Sequence, residues 1–331
     1  MMQIYKKNNE NKGKNKPHNL DTLAQLRTAP IHAPSERANL TINHKAKLTK
    51  KARSKYFTSK ISIRLAELRN DLEKYYRNAY YCAEIITQQE NKFTAKYCNT
   101  RICNVCNRIR TAKLIHGYNN ELDKLDGYFV TLTIPNVKET ELRKSIEEMG
   151  VTFRRITNKY RNRRNVKLKG LRKLEITYNA IRNDYHPHYH LLVDGRAAAA
   201  SFLKEWLGYY PEAVSVAQDM RKAEKGTYLE LFKYVTKVVA KDVNGNGKIY
   251  IHAIDTIVKA LRDKRTFQPF GGVKMISEDI EELQAEELQG VPEYDFMEWF
   301  WEEQDWINKY GECLTGYEAS EELKKLLLMK C

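Results

Sequence analysis

The sequence predicts an α+β fold: an antiparallel sheet carrying helices on one face. Three observations point there. Along residues 127–242, stretches of strand and helix character follow one another as β, α, β-hairpin, α, β, α. Two of the β stretches are separated only by a short polar turn, which suits an antiparallel hairpin. The helical stretches are amphipathic, so each has one face to bury against a sheet.

The elements follow in chain order. Residues 1–55 carry 13 Lys/Arg against 3 acidic residues, with many Asn and few large apolar groups, and read as a mobile basic arm. From Tyr56 to Tyr81, apolar residues recur at three- and four-residue spacing, which predicts a helix. Residues 56–118 are read as a helical and cysteine-rich module, closing on the basic helix "CNRIRTAKLIHGYNNELDKL". The main domain is assigned to 119–275. Within it "GYFVTLTIPN" is β-branched, aromatic and closed by Pro-Asn, so it reads as a strand. Residues 139–161 form an amphipathic helix, and "GLRKLEITYNAI" and "HYHLLVDG" are the hairpin strands. "AAAASFLKEWLGYY" is a helix, "AVSVAQDM" a short strand, and "GTYLELFKYVTKVVAKD" a helix ended by the turn "NGNGK". Residues 276–331 are read as an acidic helical tail.

Charge narrows the partner. The chain of 331 residues has a net charge of +15, unevenly spread. Ile276–Cys331 holds 16 acidic and 4 basic residues, a net of −12, so the other 275 residues carry +27. A basic body of that size implies a polyanionic partner, most simply nucleic acid. No apolar run approaches the ~20 residues of a membrane span, and the first residues lack the apolar core of a secretory signal. The expected location is the cytoplasm, with no membrane partner. Six cysteines, three of them within nine residues, fit a metal site better than a disulfide framework.

Three constellations carry chemistry. In "YHPHYHLLVDG", His186, His188 and His190 sit at alternate positions, so a strand places all three on one face. His188 and His190 lie about 7 Å apart along such a strand, close enough to share an ion. A third ligand comes from Glu175 on the hairpin partner strand or from His186. Two imidazoles and a carboxylate suit Mg²⁺ or Mn²⁺ and leave positions open for substrate oxygens. The competing role for Glu175 is an ion pair with Lys or Arg across the hairpin.

Second, Glu230, Tyr234 and Lys237 are spaced i, i+4, i+7 and share one face of the expected helix. Tyrosine is a candidate nucleophile beside a polarised phosphate, lysine a phosphate partner, and glutamate an activator of water or a hydroxyl. Third, Cys82-x15-Cys98-x4-Cys103-x2-Cys106 offers four thiolates to a structural Zn²⁺. Arg101, Arg108 and Arg110 surround it as candidate DNA contacts. Arg161, Arg163 and Arg164 form a second basic group.

Together these segments resemble the rolling-circle replication initiators of small bacterial plasmids, within the HUH endonuclease class. "CNTRICNVCNRIRTAK" looks like that family's cysteine-arginine segment, and "YFVTLTIPNV" like its first motif. "LEITYN…HPHYHLLV" resembles the second motif, and "ELFKYVTK" the third, in the single-tyrosine branch with a glutamate. The resemblance spans about residues 80–242. It implies an HUH, ferredoxin/RRM-like core, and site-specific nicking of single-stranded or hairpin origin DNA through a 5′-phosphotyrosine. His188 and His190 then bind the ion, Tyr234 is the nucleophile, Lys237 contacts phosphate, and Glu230 serves termination. A host helicase and DNA polymerase are the implied partners. An HUH transposase or relaxase shares this chemistry, and a non-catalytic zinc-dependent DNA-binding regulator is the reading from another class. Whether Tyr228 substitutes for Tyr234 stays open.

Overall fold

The computed structural model describes residues 40–214, 217–224, 231, 239–242, 244–275, 286–287 and 294–328. These belong to one unit, Ser35–Cys331. Among the described residues the fold is mixed α/β, with seven helices and antiparallel sheets.

The first helix, α1 (Leu40–Ala66), starts well before Tyr56, so the basic arm does not extend to residue 55. Leu48, Ala52 and Tyr56 recur every fourth residue and are all buried. Burial extends around much of this helix and takes in Lys51, Lys55, Thr58 and Ser62, and the buried Lys55 ammonium is held by the Tyr80 carbonyl and Glu84. The expected single helix to Tyr81 is also broken. Arg69 takes a left-handed backbone (φ 49°), and the Asn70 side chain accepts the Leu72 N–H at 2.9 Å. A second helix, α2 (Glu73–Tyr80), then begins.

Two short strands follow, β1 (Ile85–Glu90) and β2 (Lys92–Ala95), and then α3 (Asn104–Leu122). The main sheet comes next: β3 (Gly127–Thr133), β4 (Gly170–Asn179), β5 (Asp184–Asp194), β6 (Asp219–Lys222) and β9 (Phe267–Phe270). Its order is β6-β3-β5-β4-β9, with every neighbour antiparallel. The helices α4 (Glu139–Arg164), α5 (Arg196–Tyr209) and α6 (Ile251–Leu261) connect it.

Period-two alternation divides β5 between two environments. Tyr185, Tyr189, Leu191 and Val193 enter a core with Leu142, Ile146, Phe153, Phe202, Trp206 and Ile257 from the three helices. The intervening His186, His188, His190 and Leu192 face the other way. There Leu192 packs with Phe129, Leu171, Leu231 and Val273, and with Tyr118 and Leu122 of α3. Helices α4, α5 and α6 therefore lie on one face, while α3 shares the histidine face.

Two further expectations are corrected. Val239–Lys241, assigned to the end of a helix, is strand β7 paired with β8 (Gly247–Ile249). Asn-Gly is a hairpin signal, and Asp242 Oδ1 accepts the N–H groups of Asn244 and Asn246 at 2.9 Å, closing that turn. The acidic tail is not a helical appendage. Tyr294–Glu302 (β11) pairs with both β1 and β12 (Asp305–Asn308), in a sheet of order β10-β2-β1-β11-β12, where β10 is Glu286–Glu287. In "YDFMEWFWE", Met297 and Trp299 point inward while Phe296, Glu298 and Phe300 point out. The acids occupy the outward positions of a strand that aromatic residues favour. Trp299 donates to Gln88 (3.0 Å) and Trp306 to the Ala83 carbonyl (2.8 Å). Only Glu321–Leu328 (α7) is helical among the described tail residues.

Candidate functional site

The strand registers assemble the first site. His188 stands opposite Glu175 of β4 and Thr133 of β3, and His190 stands opposite Lys173 and Thr131. All point to the same face of the sheet. The two Nε2 atoms lie 3.1 Å apart. Glu175 Oε1 is 4.0 Å from His188 Nε2, and Oε2 is 3.7 Å from His190 Nε2. One ligand atom from each of Glu175, His188 and His190 falls within 4.8 Å of the others. His186 is not in this group; its ring stacks on that of His188, with centroids 5.0 Å apart.

The hydrogen bonds set the imidazole polarity. His188 Nδ1 lies 3.0 Å from the His186 carbonyl, which can only accept, so Nδ1 carries the proton and Nε2 presents its lone pair. His190 Nδ1 lies 3.3 Å from the Thr131 hydroxyl, which fixes the position of that ring. Two imidazole nitrogens this close require a proton or a metal cation between them, and with the carboxylate they make a mixed N/O ligand set. The residues therefore fit a divalent ion. His188 and Glu175 are buried, whereas the His190 side chain is 34% exposed, so the site opens to solvent on one side.

Sequence reasoning missed Lys173. Its side chain is only 3% exposed, and its ammonium lies 3.0 Å from Glu175 Oε2. The expected alternative of an ion pair is thus realised, but along the strand and alongside the histidines. The signal was "KLE": two residues apart on one strand means one face.

The second site is the cysteine cluster. Cys82 follows α2, Cys98 follows β2, Cys103 is the N-cap of α3 and Cys106 lies in its first turn. All four sulfurs lie within 4.8 Å of one another, with Cys82 and Cys98 at 3.4 and 3.6 Å from Cys106. A tetrahedron with ~2.3 Å arms has edges of about 3.8 Å, so the quartet fits a metal such as zinc. The four are free thiols rather than disulfides. Backbone N–H groups of Cys98, Asn99, Thr100 and Cys106 point at the sulfurs, a pattern that stabilises thiolates. Hydrogen bonds from Cys103, Cys106 and Cys82 hold Cys98 well below the ordinary thiol range, while burial pushes Cys103 above it.

The arginines divide. Arg101 donates both guanidinium nitrogens to the Leu261 and Lys264 carbonyls at the end of α6, and burial lowers its pKa. Arg110 bonds Asn107 and the Asn99 carbonyl, bracing the cysteine loop. Both are turned into the protein. Arg108 is half-buried on α3, and Arg161, Arg163 and Arg164 are exposed at the end of α4. Because α4 covers the opposite face of the sheet, that basic group is not brought to the histidines. Glu230, Tyr234, Lys237 and Tyr228 lie outside the described residues. Leu231, which is described, is buried on the histidine face beside Leu192 and Phe129.

No helix among the described residues is long and apolar enough to cross a membrane. The replication protein family matches residues 89–311. A "Protein rep" of Staphylococcus aureus is 28% identical over 214 residues, covering 58% of this chain and 91% of the relative. A "Protein rep" of Bacillus amyloliquefaciens is 28% identical over 257 residues, covering 67% and 72%. No solved structure matches the chain. With two thirds of its length inside the family's match, and the histidine sheet and three of the four clustered cysteines (Cys98, Cys103 and Cys106) within it, this chain belongs to the replication protein family.

Proposed function

We propose that this protein is a plasmid rolling-circle replication initiator that nicks single-stranded or extruded origin DNA through a phosphotyrosine at Tyr234. The observation that carries the reading is the Glu175–His188–His190 cluster on an open sheet face, with one ligand atom from each residue within 4.8 Å of the others. Mg²⁺ or Mn²⁺ bound there would draw charge from a phosphate oxygen. Leu231 supports the nucleophile assignment. It is buried against Leu192, the next residue after His190 on that face. Tyr234 follows Leu231 by three residues in the sequence.

In this reading the Tyr234 oxygen attacks the scissile phosphorus, the P–O3′ bond breaks, and the 3′-hydroxyl leaves as the primer for a host polymerase. The 5′-phosphate stays on the tyrosine, so rejoining needs no nucleotide hydrolysis, and a separate helicase unwinds the duplex. Lys237 contacts the phosphate. At termination Glu230 activates water or a hydroxyl for the second cleavage. The cysteine module with its Zn²⁺, the tail hairpin and Arg108 form the origin-binding part, and residues 119–275 form the nicking part. Arg161, Arg163 and Arg164, on the far face from the histidines, suit duplex flanking the nick.

The test mixes protein, Mn²⁺ and single-stranded origin DNA. A covalent protein–DNA adduct is expected, absent in Tyr234→Phe and unchanged in Tyr228→Phe. An adduct that persists in Tyr234→Phe refutes the nucleophile. Duplex binding without any cleavage favours the regulator instead.

A further inference from the structure

The ion-binding cluster contains a charge that ion binding alone does not call for. Lys173 is buried to 3% exposure, stands opposite His190 in the β4–β5 ladder, and places its ammonium 3.0 Å from Glu175 Oε2. A lysine this deep sits on the Glu175 carboxylate that a cation would use. Its effect follows from charge. Two neutral imidazoles, one carboxylate and one ammonium sum to zero, so the free site holds no net negative charge to attract a divalent ion. Once an ion is present, the same sum leaves two full positive charges facing the open side at His190. Without Lys173 the carboxylate would attract the ion strongly and then cancel one of those charges. The arrangement thus weakens ion binding to the free protein and strengthens it when an anion sits on the open side.

We propose that Lys173 is a positioning residue that couples ion binding to DNA binding: the divalent ion binds weakly alone and tightly once a phosphodiester of single-stranded DNA occupies the histidine face. This rests on the proposed ion site at Glu175, His188 and His190, and it adds a regulation of that site. Because the linkage is reciprocal, the ion must tighten DNA binding by the same factor.

The experiment uses the full chain loaded with zinc and measures Mn²⁺ binding by electron paramagnetic resonance, with and without a short single-stranded oligonucleotide. In the parent protein the oligonucleotide should tighten Mn²⁺ binding by about tenfold or more, the size of an ordinary coupling. Lys173→Gln keeps a hydrogen-bond donor for Glu175 but removes the charge. It should bind Mn²⁺ about tenfold tighter than the parent without DNA and lose most of the DNA effect. Lys173→Arg should behave as the parent. Equal Mn²⁺ affinity with and without oligonucleotide in the parent overturns the proposal, and that measurement needs no variant to fold. Lys173→Gln binding Mn²⁺ no tighter than the parent also overturns it. His188→Ala separates the two claims. Loss of Mn²⁺ binding there supports the site, so a failed Lys173 result then refutes only the coupling; Mn²⁺ binding that survives His188→Ala overturns the site and the coupling together.

Discussion

Single residues set the chemistry of this protein through their second contacts. His188 is oriented by a backbone carbonyl, whereas His190 is oriented by the Thr131 hydroxyl at 3.3 Å, a contact that a side-chain mutation removes. Replacing that hydroxyl by a methyl group in Thr131→Val keeps the volume and removes the orienting contact. Mn²⁺ affinity measured by titration calorimetry should fall about tenfold, the usual size of such an outer contact, with the melting temperature nearly unchanged. The histidines and Glu175 were legible because strand alternation and hairpin pairing are strong local rules. Lys173 was not, because nothing in "RKLE" says that a lysine will be buried. Its burial is decided by what packs on that face, where α3 and Leu231 cover the neighbouring Leu171 and Leu192.

At the scale of elements, the cysteine cluster and the tail hairpin carry the lessons. Cys103 and Cys106 begin α3, and their sulfurs are close-packed with Cys82 and Cys98. Cys103→Ser with Cys106→Ser should reduce bound zinc from about one per chain to none by elemental analysis. The loss should also free the start of α3, seen as faster amide exchange there. The tail is the opposite case. Its net charge suggested a solvated helix, yet β11 is a paired strand of the module's sheet. Trp299→Ala, which empties a buried site and removes the Trp299–Gln88 hydrogen bond, should cost about 3–5 kcal/mol in denaturant unfolding; a solvated tail would show no such cost. Charge composition misled because it averages over a strand, whereas alternation separates the acids outside from the tryptophans inside.

At the scale of the whole molecule, Asp255 ties the N-terminal helices to the helical layer of the main sheet. It accepts from Tyr76 (2.6 Å) and Asn70 (2.9 Å) near α2, and pairs with Lys259 (2.8 Å) on its own helix. Burial works to raise its pKa, but the hydrogen bonds from Lys259, Tyr76 and Asn70 outweigh it and hold the carboxyl below its ordinary value. A depressed carboxyl contributes stability that is full above its unfolded pKa of about 3.9 and is lost as pH falls through the lower folded value. Asp255→Asn should therefore destabilise the protein by about 2 kcal/mol at neutral pH, with the difference from the parent shrinking below about pH 4. Urea midpoints across pH 3–7 read this; a difference independent of pH would show that the carboxylate's charge is not what links the two parts. Arg101, bonded to the end of the same helix α6, makes a second tie across this seam.

By itself the sequence determined the first strand, the following helix, the hairpin and the next helix of the main sheet, the facing of His188, His190 and Glu175, and the cysteine quartet, but not the edge strand β9 or helix α6. Each of these follows from spacing along a few residues, where period two, a hairpin turn or a CxxC leaves little freedom. Only the tertiary structure decided that the acidic tail closes the cysteine module as strands, that α1 reaches back to Leu40, that Arg101 and Arg110 brace the protein from within, and that Lys173 is sealed beside Glu175. These depend on which surfaces meet across hundreds of residues. Burial is a property of the partner as much as of the residue, and no local pattern specifies the partner.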